Sequence, residues 1–199
     1  VVGLKEVGVV LLCYLIGAIP FSYLLSRIFK GVDIRIKGSG NVGATNVLRT
    51  SGIAVALAAL TGDLLKGILA SWIGLSVGGA VLAAICGVAA VIGHCYSIFL
   101  GFHGGKGVAT AAGIILYLMP DVLLGLFGIF IIITIVSRYV SLASITVAVL
   151  LPVLTLLLGK PWPYIISSFF IAALVIYRHK ANIRRLKSGN ELKITEKVK

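Results

Sequence analysis

The sequence has little histidine, cysteine or acid: three histidines, three cysteines and six carboxylates in 199 residues. Cys13, Cys86 and Cys95 are odd in number and lack C-x-x-C spacing, so they read as small apolar packers and not as a disulfide framework. With so few histidines and such scattered carboxylates there is no metal cluster, and no cofactor is expected. A Ser-His-Asp triad lacks its acidic member, because the only carboxylate near the polar segments is Asp33. Charge is also scarce. Only 12% of the residues are charged, where a soluble domain carries about a quarter.

Apolar residues make up 59% of the chain and the mean hydropathy is +1.12, which reads as an all-α integral membrane protein of one domain over residues 1–199. The first apolar run, Val7 to Phe29, is too long for a signal-peptide core and ends without an A-x-A-like site, so it is expected to stay as a helix kinked at Pro20. Residues 30–52 read as a basic, glycine-rich loop, and 53–100 as two crossings with a turn near Ser76–Gly79. Val108–Leu118 is short, about 16 Å. Val122–Val136, Tyr139–Leu158 and Trp162–Tyr177 follow, and a basic polar tail occupies 178–199.

The net charge of +12 would suggest nucleic acid in a soluble protein, but here the positive-inside rule accounts for it and no nucleic acid is expected. With about seven transmembrane helices, the N-terminus outside and the C-terminus cytoplasmic, fifteen of the basic residues fall inside. They are Arg27, Lys30, Arg35, Lys37, Arg49, Lys106, Arg138 and eight from Arg178 onward. Lys5 and Lys160 fall outside. That topology brings four polar stretches, around 38–49, 101–110, 138–144 and 179–182, to one cytoplasmic face.

Residues 38–49 form the longest polar segment before the tail, and their glycines and asparagines tolerate positive φ, so successive N–H groups can cradle an anion. Gly38-x-Gly40-x-x-Gly43 with Asp63 twenty residues on matches the dinucleotide fingerprint in letters, but the strand and βαβ unit that it needs are absent. His103-Gly104-Gly105-Lys106-Gly107 is an imperfect P-loop; it keeps flexible glycines, a lysine and a helix starting near Val108. Arg138 with Ser144, and His94 within a helix, have ordinary packing readings as well. Asp63 and Lys66, at i,i+3, read equally as a functional membrane charge pair or as a self-neutralising one. His179 stands among cations that favour its neutral, proton-accepting form.

Taken together, Gly-Ser-Gly-Asn-Val-Gly-Ala-Thr-Asn at 38–46, Gly-His at 93–94 leading to Gly-Gly-Lys-Gly-Val-Ala-Thr at 104–110, and Arg-Tyr-Val-Ser-Leu-Ala-Ser at 138–144 resemble the three signature motifs of the bacterial acyl-phosphate:glycerol-3-phosphate acyltransferases (PlsY). Tyr-Arg-His-Lys-Ala-Asn at 177–182 resembles that family's C-terminal stretch. The resemblance implies transfer of a fatty acyl group from a long-chain acyl phosphate to the 1-hydroxyl of sn-glycerol 3-phosphate, on the cytoplasmic side of the bacterial inner membrane. It also implies that Lys106, Arg49, His179 and Ser144 act at the reaction centre. Substrate would be bound by Ser39, Gly40, Asn41, Gly43, Thr45, Asn46, Gly104, Gly105, Gly107 and Asn182. The His-x₄-Asp pair of acyl-CoA enzymes is missing, since the residues five after His94, His103 and His179 are Phe99, Val108 and Arg184. Partners are therefore the two phosphate substrates and membrane lipid, and the sequence names no protein partner.

Two other classes fit part of the pattern. A transporter for a small phosphorylated anion would use Asp63, Lys66 and half-helix N-termini, yet the chain has no internal repeat. A scaffold binding anionic lipid through its basic tail leaves the glycine-rich motifs unexplained.

Overall fold

The protein is described by a computed structural model covering residues 3–194 and Glu196. All of its regular structure is helical: α1 (Leu4–Ala18), α2 (Phe21–Lys30), α3 (Ala44–Ser51), α4 (Ile53–Cys95), a 3₁₀ turn (Ile98–Leu100), α5 (Val108–Leu118), α6 (Pro120–Ser137), α7 (Val140–Leu157), α8 (Trp162–Arg178) and α9 (Lys180–Lys187). Among the described residues four stretches are long and apolar enough to cross a membrane: Leu4–Lys30, Ile53–Leu100, Pro120–Ser137 and Val140–Leu157. Val108–Leu118 and Trp162–Arg178 are shorter apolar helices.

The single kinked helix expected over Val7–Phe29 is in fact two helices. Pro20 has no N–H to continue the ladder, so α1 ends at Ala18 and α2 starts afresh. The carbonyls freed at the break find partners on α4 and beyond it. Lys66 Nζ donates to Ile19 O at 3.0 Å, and Ser97 Oγ to Ala18 O at 2.5 Å. Apolar surroundings require such re-pairing of backbone groups around a proline.

The 43 residues of α4 reverse direction at Gly78 and Gly79, whose backbone angles are not helical. The two arms then lie so close that a Cβ on Gly74 would meet Ala83 Cα at 2.7 Å. This is the expected turn near Ser76–Gly79. Small residues also set the other contacts. A Cβ on Gly17 of α1 would lie 2.1 Å from Ala90 O, one on Gly67 2.1 Å from Thr110 O, and one on Gly113 2.0 Å from Leu64 O. Glycines thus let α1 pack on the second arm of α4, and α5 on the first, at backbone-to-backbone distance. The main apolar core lies among the second arm of α4 and α5 to α8, with Val91, Ile114, Val122, Leu151 and Ile171 inside it.

Two segments read as irregular carry structure that the hydropathy profile does not signal. Residues 30–52 contain α3, and the polar tail contains α9. Beyond α9 the chain returns as a strap. Ile194 N donates to Arg138 O at 2.9 Å, and Arg49 Nη2 donates to Leu192 O and Lys193 O at 3.1 Å each.

Candidate active site

The glycine-rich segment is half loop and half helix. Gly38 and Gly40 have φ of +62° and +70°, whereas Gly43 is extended at −163° and caps the start of α3. Asn46, on the first turns of α3, is the clamp of this loop. Its Oδ1 accepts from Ser39 N at 2.9 Å, and its Nδ2 donates to Ile34 O and Lys37 O at 2.9 and 3.0 Å. A Cβ on Gly38 would sit 2.1 Å from Asn46 Oδ1, so the clamp closes only over glycine. Asn46 is 1% exposed and its amide is committed to the loop, so its side chain has a structural task where the sequence suggested a ligand.

The second loop seats against the end of α4. Gly104 N donates to Cys95 O and Gly105 N to His94 O, at 3.1 and 3.0 Å. Gly105 has no room for a side chain, since its Cβ would lie 2.2 Å from His94 Nε2 and 2.3 Å from Val42 O. Gly107, at φ +84°, then turns the chain into α5.

Between these loops and the α8–α9 junction lies a cleft of about 600 Å³. Of the sequence-predicted residues, Ser39, Gly40, Asn41, Gly104, Lys106 and Asn182 line it. Gly43, Thr45, Asn46, Gly105 and Gly107 are not in its wall. Neither are Arg49, His179 and Ser144. His179 and Ser144 are 2% and 3% exposed, and Ser144 Oγ donates to Val140 O in its own helix at 2.8 Å. Arg49 is tied to the strap by Nη2, while its buried Nε has no partner among the described residues.

Sequence reasoning missed five residues. Arg35, His103, Arg178 and Arg185 line the cleft, and Glu191 is bonded to Asn182 and Arg185 of its wall. Arg178, Asn182 and Arg185 follow i, i+4, i+7, so a helical reading of the tail would have put them on one face. Glu191 gives no such sign. Its Oε1 accepts from Ser141 Oγ at 2.8 Å and Asn182 Nδ2 at 2.6 Å, and its Oε2 from Arg185 Nε at 2.8 Å. It corrects the reading that Asp33 is the only nearby carboxylate. Asp33 is already paired, bonded to Arg35 at 2.7 Å.

The electrostatics follow from burial and crowding. Burial, with Arg185, Arg49 and Arg178 adding to it against Glu191, lowers the Lys106 pKa to about 8. Burial and then Lys106 lower that of His179 to about 4, so its ring is neutral at neutral pH. His179 Nδ1 lies 2.7 Å from Val175 O, which can only accept, so Nδ1 carries the proton and Nε2 the lone pair. Burial pushes the Glu191 carboxyl up, but bonds from Asn182, Arg185 and Ser141 outweigh it and hold the carboxyl below its usual range.

The membrane charge pair is a separate cluster. Lys66 Nζ is 2.9 Å from Asp63 Oδ1, Ser22 Oγ donates to Asp63 Oδ2 at 3.1 Å, and His94 Nδ1 stands 3.4 Å from Asp63 Oδ1. Its charges neutralise each other, as the second of the two readings had it.

Known proteins resemble this chain in sequence and in fold. Residues 7–189 match the sequence family described as glycerol-3-phosphate acyltransferase. The glycerol-3-phosphate acyltransferase of Syntrophomonas wolfei is 59% identical over 195 residues, 98% of this chain and 100% of the relative. Glycerol-3-phosphate acyltransferase 2 of Moorella thermoacetica is 48% identical over 184 residues, 92% of this chain and 95% of the relative. The crystal structure of PlsY (YgiH), an integral membrane glycerol 3-phosphate acyltransferase, superposes in its glycerol 3-phosphate form with a TM-score of 0.91 at 40% identity, covering 95% of each chain. Its lysophosphatidic acid form gives 0.89 at 39% identity, again over 95% of each. By model, sequence and fold, the chain belongs to the glycerol-3-phosphate acyltransferase family of PlsY type.

Proposed function

We propose that this protein moves a fatty acyl group from a long-chain acyl phosphate to the 1-hydroxyl of sn-glycerol 3-phosphate, giving lysophosphatidic acid and inorganic phosphate. The observation that carries the reading is the cleft itself. It is large enough for a phosphorylated glycerol, is walled by cations and glycine backbone, and belongs to a chain that is otherwise apolar. Among the described residues no partner is bonded to Lys106 Nζ or to the terminal nitrogens of Arg185. These donors suit phosphate oxygens.

The chain is one membrane domain of seven crossings: α1, both arms of α4, and α5 to α8. Its N-terminus is outside, and the cleft is on the cytoplasmic face of a bacterial inner membrane. The excess of lysine and arginine on that face supports the orientation. Lys106, Arg49, His179 and Ser144 serve the reaction centre. Ser39, Gly40, Asn41, Asn182 and the backbone around Gly43, Thr45, Gly104, Gly105 and Gly107 serve binding, with Asn46 holding the first loop in shape.

The chemistry asks little of covalent catalysis. The hydroxyl oxygen forms a bond to the acyl carbon, the bond from that carbon to the phosphate oxygen breaks, and phosphate leaves with its electron pair. Holding two anionic substrates together supplies much of the rate, with effective molarities on the order of 10⁵ M or more. Cations offset the repulsion between the two phosphates. The hydroxyl proton passes to a phosphate oxygen of the donor, and the lone pair on His179 Nε2 is the alternative acceptor.

The test is direct. Purified protein with glycerol 3-phosphate should release phosphate from palmitoyl phosphate and yield no product from palmitoyl-CoA. Silence with both donors would remove the assignment. If His179→Gln loses all chemistry while both substrates still bind, the substrate-assisted route is wrong and His179 is the base.

A further inference from the structure

We propose that Arg178 is a positioning residue for this reaction: it ties the end of α8, which carries His179, to the Gly104–Gly105 backbone and so fixes where Lys106 is held. The role rests on the proposed function, because it assumes that Lys106 binds a substrate phosphate.

The geometry is that of a fork. Arg178 Nε donates to Gly105 O at 3.1 Å and Nη2 to Gly104 O at 2.9 Å, so one guanidinium engages two consecutive carbonyls. Its plane lies over the Tyr96 ring at 5.1 Å from the centroid. Tyr96 is itself anchored, since its carbonyl accepts from Tyr14 Oη at 2.8 Å. The amides of the same two glycines face the other way, to His94 O and Cys95 O. The Gly104–Gly105 pair is therefore gripped on both edges, its N–H groups by α4 and its C=O groups by α8. Lys106 is the next residue and leaves this fixed base for the cleft. Sequence position makes the link consequential. Arg178 is the last residue of α8, His179 follows it, and Asn182 stands one turn beyond. Holding Arg178 on the loop thus sets the spacing between Lys106 and the two groups opposite. A lysine cannot replace it, because a point ammonium has no planar pair of parallel N–H donors.

The charge of Arg178 adds a second, separable effect. The charged groups around Lys106 are Arg49 on α3, Arg178 on α8, Arg185 on α9 and Glu191 on the strap, with the His179 ring also near. Arg178 is one of the cations that depress Lys106, so its removal lets Lys106 stay protonated to higher pH.

Two substitutions separate fork from charge. Arg178→Lys keeps the cation and loses the fork. It should raise KM for glycerol 3-phosphate about tenfold or more, as loss of alignment does, and leave the alkaline limb of kcat/KM in place. Arg178→Gln should raise KM likewise and also move that limb to higher pH. Amide exchange at Gly104 and Gly105 should quicken in both. A wild-type KM in Arg178→Lys, or an unmoved limb in Arg178→Gln, overturns the proposal, and so does a lowered melting temperature with unchanged kinetics. Should neither variant be recovered folded in detergent, Tyr96→Leu removes the face beneath the guanidinium. Its KM should rise about two- to threefold, in line with an aromatic contact of modest strength, and no rise overturns the proposal. Amide exchange needs no turnover, so quickened exchange in Arg178→Lys beside a wild-type protein inert toward palmitoyl phosphate would sink the assigned reaction and not the grip on the loop.

Discussion

Two clusters of ionisable residues sit inside this apolar chain, and they differ in one respect that decides their use. Around Asp63 every charge is answered. Lys66 bonds Asp63 and Ile19 O, Ser22 bonds Asp63, and the cavity among them is about 10 Å³, room for one water at most. Around Lys106 the charges are answered only in part. Arg35 and Arg178 are committed to protein partners, Arg185 is held by its Nε alone, and Lys106 lines a cleft of about 600 Å³. A buried charge in a membrane protein is therefore not a site by itself. Unanswered donors beside open room make one.

This contrast can be broken or sharpened in order of effect. Asp63→Asn should be the most damaging to the fold, because it strands Lys66 without its counter-ion. Losing one partner of a buried pair costs about 3–5 kcal/mol, read here as thermal unfolding in detergent. Lys66→Met in the same chain should recover most of that loss, and a harmless Asp63→Asn would erase the distinction between the clusters. Lys106→Met should do the reverse. Its melting temperature should hold, while kcat/KM drops about 10²–10³-fold, the scale for removing one preorganised donor at a reacting centre.

Arg185→Gln comes next, with KM for glycerol 3-phosphate up about tenfold or more if its terminal nitrogens hold phosphate. Acidity gives a finer probe. Lys106 has its pKa lowered to about 8, so it is cationic below that value and loses its charge above it. Substrate binding should hold from neutral pH to about 8 and weaken beyond, and in Lys106→Arg, which stays charged, the decline should vanish. Arg35→Gln should do least, within about threefold, since its exposed pairing with Asp33 is of the weak surface kind.

Much of this was legible in the residues. The apolar runs, the reversal at Gly78–Gly79 and the glycine-rich loops at 38–46 and 104–107 all follow from local composition. Other features were hidden for physical reasons. Pro20 reads as a kink, and only the partners at Ile19 O and Ala18 O show why a full break is tolerated. Asn46 looks like a ligand because an amide serves a loop as well as a substrate, and the letters do not separate the two uses. Arg178 carried a helical spacing with Asn182 and Arg185 that a charge count alone overlooks. Glu191 could not have been found, since its place depends on a chain return after every membrane helix.

That return bears on the birth of the enzyme. Arg49 is emplaced by carbonyls 143 and 144 positions later in the chain. All the intervening helices must be laid into the bilayer before those carbonyls exist to receive it, and such distant closures come late in assembly. A nascent chain halted after α9 therefore has Lys106 and His179 but no carbonyls to hold Arg49, and on the roles proposed above it should be inert until the ribosome has delivered the strap.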